Sequence, residues 1–307
     1  MDHFITIADT PTEELEHVLD VAARLRVDRN SGQTNNPVLA GKSLAMLFEK
    51  PSLRTRVSFE QAVYELGGHA VHLLQQEIGI GKRESAADIA QVLSGMVHGI
   101  MARVFEHAKL EQMAEAGSVP VINALSDDSH PCQALADIMT MRDEFGHDLS
   151  GRTLAYVGDG NNVAKSLAWM CGKLGLRFVI AAPDGYKLPD TLLETIREGC
   201  RGADVDQIDD PHQAVRDADA IYTDTFVSMG QEDEKQQRLT VFADYQVNQT
   251  LLDAAPDHVI VLHCLPAYRG VEITADVIDG PSSRVFPQAH NRLHGQKGLL
   301  AVLMGGC

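Results

Sequence analysis

An alternation runs along almost the whole chain and limits its fold more than any other feature. Short apolar runs of strand length are each followed by a stretch with helical periodicity. Ser43–Phe48, His69–Leu74, Ile100–Val104 and Pro120–Ala124 read as strands in the first half, and Thr153–Val157, Phe178–Ala182, Ala220–Thr223 and Val259–His263 in the second. The spacing predicts intervening helices carrying Phe59, Ala62, Val63 and Leu66, from about Ser85 to Met96, near His107–Ala116, from Pro131, over Asn162–Leu174 and over Asp190–Gly199. Strands joined through helices mark a parallel sheet with helices on its faces. Thr10-Pro11-Thr12-Glu13 has capping-box spacing and opens a first helix with Leu15, Val18, Leu19, Ala22 and Leu25 on one face.

The alternation pauses at Gly146-His147-Asp148-Leu149-Ser150-Gly151 and then restarts. A chain of 307 residues suits two domains at about 100–200 residues each. The expected fold is therefore α/β, with two doubly wound parallel-sheet domains over residues 1–147 and 148–286. An amphipathic helix in the last stretch, 287–307, with Leu293, Leu300 and Leu303, is expected to pack back on the first domain.

Charge and cysteine usage remove several classes of function. Lys plus Arg is 26 against 43 for Asp plus Glu, a net −17, so phosphate neutralisation along a nucleic acid is a poor fit. Apolar runs such as Ser43–Phe48 fall far short of the roughly 20 residues that span a bilayer. Met1-Asp2-His3-Phe4 begins no basic-then-apolar signal, which predicts a cytoplasmic chain. Cys132, Cys171, Cys200, Cys264 and Cys307 are odd in number and scattered, as reduced thiols are.

Ligands of doubly wound sheets bind beyond the carboxyl ends of strands, so residues just after strands carry the most information. Ser52-Leu53-Arg54-Thr55-Arg56 lies between a strand and a helix, where unpaired N–H groups, hydroxyls and guanidiniums suit an anion. Taken alone, it reads equally well as a serine cap with solvated arginines. Arg103 ends the third strand and gains weight only if it faces the same crevice. In His130-Pro131-Cys132-Gln133, Pro131 at the first helical position sets His130 at the cap, with Gln133 one turn on. His130 either polarises a carbonyl or merely caps its helix. No metal-ligand spacing occurs around His130 and Cys132 or His263 and Cys264.

Gly158-Asp159-Gly160-Asn161-Asn162-Val163 follows a strand, and Asp184 follows the next. The pair resembles a dinucleotide fingerprint and keeps a nicotinamide-dependent oxidoreductase open as an alternative, although Val163 replaces the third glycine. Asp224 follows a strand and suits an ammonium group. The polar run after Ser228-Met229-Gly230 suggests a flap. His263-Cys264-Leu265-Pro266-Ala267 ends the last strand, where Cys264 is either a small buried apolar group or a thiol contact.

Taken together these segments resemble the aspartate/ornithine carbamoyltransferase family. Phe48–Arg56 is similar to its carbamoyl-phosphate motif, with Leu53 in place of the commoner Thr, and His130–Gln133 to its His-Pro-x-Gln. Ser228-Met229-Gly230 and His263–Ala267 are similar to the ornithine-using branch. The resemblance implies transfer of a carbamoyl group from carbamoyl phosphate to L-ornithine, giving L-citrulline and phosphate. It implies a homotrimer and no metal or organic cofactor. By resemblance, Ser52, the Leu53 amide, Arg54 and Thr55 hold the phosphate, while Thr55, Arg103 and His130 polarise the carbonyl oxygen. Gln133 and the Cys264–Leu265 backbone take the carbamoyl amide, and Arg292 closes the anionic site. Asn162, Asp224, Ser228 and Met229 hold ornithine, with Cys264 near its δ-amine. The implied catalytic set is Arg103, His130 and Cys264. A carbamoyltransferase for putrescine or acetylornithine remains the near alternative.

Overall fold

The computed structural model describes residues 1–227 and 232–307. The predicted contacts Ser228 and Met229, with Gly230, lie outside the described residues. The chain divides into two compact units, Met1–Met139 with His290–Cys307, and Thr140–Ala289.

The first unit contains α1 (Thr12–Asn30), β1 (Ser43–Phe48), α2 (Leu53–Glu65), β2 (His69–Leu74) and the short α3 (Gln75–Ile78). It continues through α4 (Ala86–Ser94), β3 (Gly99–Arg103), α5 (Ala108–Ala116), β4 (Val121–Leu125) and the start of α6 (Pro131–Phe145). Its sheet is parallel throughout, in the order β2-β1-β3-β4. Alternate residues explain why it is covered on both faces. Ala45, Leu47, Ile100 and Ala102 pack with Ile89, Ala90, Leu110 and Met113 of α4 and α5, while Leu44, Met46 and Met101 are buried on the opposite side.

The second unit contains β5 (Thr153–Val157), α7 (Asn162–Leu174), β6 (Arg177–Ala181), α8 (Asp190–Gly199), β7 (Asp204–Ile208) and α9 (Pro211–Val215). β8 (Ala220–Thr223), α10 (Lys235–Val241), α11 (Gln249–Leu252), β9 (Ile260–His263), α12 (Ala275–Ile278) and the first turn of α13 (Val285–Leu300) follow. Its parallel sheet runs β7-β6-β5-β8-β9. In each unit the chain leaves its first strand to one side and later returns to the other. The switch points lie between β1 and β3 and between β5 and β8, which is where such sheets open a crevice.

Three local expectations fail. Thr10 makes no cap for α1: its hydroxyl donates to the Thr6 carbonyl at 2.8 Å, and Pro11 occupies the N-cap position without a side-chain bond. β7 went unread because Asp204-Val205-Asp206-Gln207-Ile208 is an edge strand in which only Val205 is fully buried. The last helix is buried on nearly all sides rather than amphipathic. Arg292, His294, Gln296 and Lys297 are buried, whereas Leu293 and Leu303 are only half-buried. It packs on the first unit as expected. A Cβ on Gly298 would stand 2.6 Å from the Ala22 Cβ and 2.7 Å from the Val18 carbonyl oxygen, so only glycine lets α13 lie this close to α1.

Candidate active site

In the first unit the residues after β1 and β3 meet at the switch point. Phe48 pairs with Arg103 in register. The next two residues hold the loops together: Glu49 accepts from the Phe105 amide at 2.7 Å and pairs with Lys109 at 2.9 Å, and the Lys50 ammonium lies 4.1 Å from the Phe105 ring centroid. The chain then enters α2, where the Ser52 hydroxyl accepts from the Thr55 amide at 3.3 Å as a true N-cap. Leu53 is 75% exposed, so at this site it offers only its backbone.

Thr55 is fully buried at the centre of the cluster. Its hydroxyl oxygen accepts from Arg103 at 3.4 Å and from Arg292 of α13 at 3.3 Å. Arg292 also donates to the Gln133 carbonyl oxygen at 2.8 Å, and the Gln133 amide donates to Asp137 at 2.7 Å. His130, just before α6, is buried. Burial and then the Arg292, Arg103 and Arg54 guanidiniums hold its pKa well below the ordinary histidine range, so the ring is neutral. Three cations therefore share one environment with a neutral imidazole and a helix N-terminus, an arrangement suited to an anion. Arg56 stays outside, half exposed and 3.4 Å from Glu60 one turn along α2. Cys132 is structural: its thiol bonds the Asn123 carbonyl at 3.3 Å, and burial pushes its pKa up to about 12.

The second unit assembles its polar cluster from the ends of β5, β8 and β9. Asn161 caps α7, its side-chain oxygen accepting from the amides of Val163 at 2.9 Å and Ala164 at 3.1 Å. Its amide nitrogen donates to Asp224 at 2.9 Å, across the switch point. The other Asp224 oxygen accepts from the Cys264 thiol at 3.0 Å and the Thr225 amide at 2.7 Å. The expectation named Asn162, which is half-buried at the first position of α7. Its neighbour Asn161 is the residue bonded to Asp224. The signal was readable, because an asparagine ahead of a helix is a preferred cap.

Asp159 turns to Arg238 of α10, 2.8 Å away, which also donates to the Phe226 carbonyl at 3.1 Å. Burial raises the Asp159 pKa more than this partner lowers it. Asp224, His263 and Cys264 bring one donor atom each within 4.8 Å of one another, a grouping that suits a soft divalent ion. Each is already engaged, however: Asp224 by Asn161 and Cys264, and His263 by the Leu265 amide at 2.9 Å and Glu272 at 3.2 Å.

The dinucleotide alternative loses its footing at Gly160. A Cβ there would stand 2.7 Å from the Leu188 nitrogen and 2.8 Å from the Tyr186 carbonyl oxygen, which already accepts from the Gly160 amide at 2.8 Å. The chain's own backbone fills the space a pyrophosphate needs. Asp184 pairs with Lys187 at 2.9 Å in an exposed position.

Comparison with known proteins identifies the family. The model of the aspartate/ornithine carbamoyltransferase carbamoyl-P binding domain matches residues 2–143, and that of the Asp/Orn binding domain of the same family matches residues 150–303. The chain belongs to the aspartate/ornithine carbamoyltransferase family. An ornithine carbamoyltransferase of Anoxybacillus flavithermus is 48% identical over 303 residues, 98% of this chain and 96% of that one. The structure of the ornithine carbamoyltransferase from Pyrococcus furiosus superposes with a TM-score of 0.95 at 46% identity, covering 99% of this chain and 97% of the other. That from Thermus thermophilus gives 0.89 at 42%, covering 99% of each chain. Arg292 is an instructive case within the carbamoyltransferase pattern. By sequence it falls in the second family match, yet by packing it belongs to the first unit.

Proposed function

We propose that this chain transfers the carbamoyl group of carbamoyl phosphate to the δ-amine of L-ornithine, giving L-citrulline and phosphate. The observation that carries the reading is the convergence of Arg103 and Arg292 on Thr55 beside a neutral His130. A hydroxyl has two acceptor lone pairs and one proton. With both lone pairs of Thr55 facing guanidiniums, its proton turns outward to a ligand oxygen. Ser52, the Leu53 amide, Arg54 and Thr55 cradle the phosphate. Thr55, Arg103 and His130 donate to the carbonyl oxygen as negative charge grows on it, the oxyanion type of stabilisation. A neutral imidazole can donate there without repelling the three arginines. Gln133 gives one carbonyl lone pair to Arg292 and keeps the other for the carbamoyl amide.

Ornithine binds at the second unit's cluster, its α-ammonium on Asp224 and its polar head on Asn162, Ser228 and Met229. Cys264 and the Leu265 backbone stand beside the reacting amine and carbamoyl groups. An alkyl ammonium has a pKa near about 10.4, so attack needs the neutral amine. The departing phosphate accepts the proton, and positioning supplies much of the rate. Leu53, Val57 and Tyr64 leave an exposed apolar face on α2, which suits a subunit interface; the homotrimer is what the family resemblance implies. Among the described residues no helix is long and apolar enough to cross a membrane.

Steady-state phosphate release tests the acceptor, with ornithine, putrescine and acetylornithine compared side by side. Faster turnover of putrescine than ornithine would sink the assignment, because putrescine has no α-amino acid head for Asp224 to hold. Asp224→Asn should raise the KM for ornithine and spare that for carbamoyl phosphate.

A further inference from the structure

The turn after β9 is held by an interaction that none of the roles above uses. Leu265 has φ +55°, the left-handed region that a non-glycine residue seldom adopts. Its amide donates to Nδ1 of His263 at 2.9 Å. A ring nitrogen that accepts cannot carry a proton, so the hydrogen of His263 sits on Nε2. That nitrogen faces the Glu272 carboxylate at 3.2 Å. Both side chains are fully buried, and the Glu272 oxygen is fixed in turn by the Tyr268 amide at 2.6 Å. The backbone of Glu272 is anchored as well, its carbonyl accepting from the Val247 amide at 2.9 Å.

We propose that Glu272 and His263 are positioning residues for carbamoyl transfer: Glu272 fixes His263 as its Nε2–H tautomer, so that Nδ1 holds the Leu265 amide and sets the Cys264 thiol on Asp224. With the proton on Nδ1 instead, two N–H groups would point at each other and the Leu265 turn would have no reason to persist. The role rests on the transfer reading above, because it acts through the Cys264–Leu265 segment assigned there to the reacting groups.

Two measurements on the full-length protein test it. Long-range ¹H–¹⁵N correlation on histidine-labelled protein reads the tautomer with no substrate present, the His263 signal being assigned by its loss in His263→Leu among 13 histidines. Protonated Nε2 and bare Nδ1 are expected in wild type, and a protonated Nδ1 overturns the proposal. The second measurement is a replacement series. The side-chain oxygen of asparagine falls near Nδ1 and can accept from Leu265, whereas that of glutamine falls near Nε2 and leucine only fills volume. The expected order of kcat is His263→Asn above His263→Gln and His263→Leu. The latter two and Glu272→Gln should fall roughly 10–100-fold, as when an outer partner that fixes a histidine tautomer is lost. The KM for carbamoyl phosphate should change less than kcat, since Ser52, Arg54 and Thr55 still hold its phosphate. If leucine or glutamine outperforms asparagine in folded protein, the ring is only a filler and the proposal fails. Wild type that carbamoylates no amine overturns the transfer reading, an outcome the tautomer spectrum cannot imitate.

Discussion

Lys297 of α13 is fully buried, and its ammonium donates to Glu65 at 2.7 Å and to Asn35 at 2.5 Å. Burial alone would raise the Glu65 pKa, but the bonds from Lys297, Arg29 and Gln61 outweigh it and bring the carboxyl from 4.5 down to about 2. A carboxyl lowered that far favours its charged form by about 3.5 kcal/mol, at about 1.4 kcal/mol for each tenfold change in proton affinity. Solvent screening reduces that to about 1–2 kcal/mol, since Arg29 on the outer side is 43% exposed. Because the folded pKa is depressed, this stability is present above pH 4.5 and is lost as pH falls towards 2. Glu65→Gln removes it at every pH and strands a buried ammonium whose own pKa burial already lowers. The expected destabilisation at neutral pH is about 3 kcal/mol, the low end for an uncompensated buried charge, because Asn35 still accepts from Lys297. Urea unfolding followed by circular dichroism at fixed protein concentration measures it. The wild type's advantage should shrink by a third to a half, about 1–1.5 kcal/mol, between pH 7 and pH 3. Replacing both partners, Glu65→Leu with Lys297→Met, should recover most of the loss. A gap that does not change with pH, or a double variant weaker than either single one, would refute the reasoning.

Four further outcomes follow from the two clusters. Arg54→Ala should cut kcat by about 10²–10³, the usual cost of one preorganised donor, and near-normal turnover would remove Arg54 from the phosphate site. Gly160→Ala drives a Cβ into the Tyr186–Leu188 backbone and should destabilise the protein by about 1–3 kcal/mol, readable as a lowered urea midpoint. At pH 8 a thiol reagent should label exposed Cys307 first and half-buried Cys264 more slowly, and leave Cys132 and Cys171 untouched by mass spectrometry. The His130 ring should show no protonation by NMR between pH 8 and 5.5 in ligand-free protein. Adding inorganic phosphate should move its titration upward, because a dianion offsets the guanidiniums that, with burial, hold it neutral.

Much of this molecule was legible along the chain because its information was local. Ser43–Phe48, Thr153–Val157 and Ala220–Thr223 are strands at the expected residues, since a strand buried on both faces is apolar almost throughout. The capped helix start at Ser52–Arg56 was visible, because a cap and its first turn are written in consecutive residues. An edge strand such as β7 escaped for the opposite reason: one covered face leaves too few apolar positions to stand out.

What the tertiary structure decided was which polar groups share a partner. A helix starting at Asn162 marks Asn161 as its cap, but nothing in the spacing says which group the cap faces. Only the rotation of the α7 start, fixed by its cap, turns Asn161 to Asp224. Nor does any pattern predict that the polar stripe of the last helix is buried. Arg292 reaches Thr55 and Gln133, and Lys297 reaches Glu65 and Asn35, because Gly298 lets the helix close on α1. Backbone preferences and hydrophobic periodicity act over a few residues and can be read from sequence. The pairing of buried charges acts across hundreds, and its geometry exists only once the chain has packed.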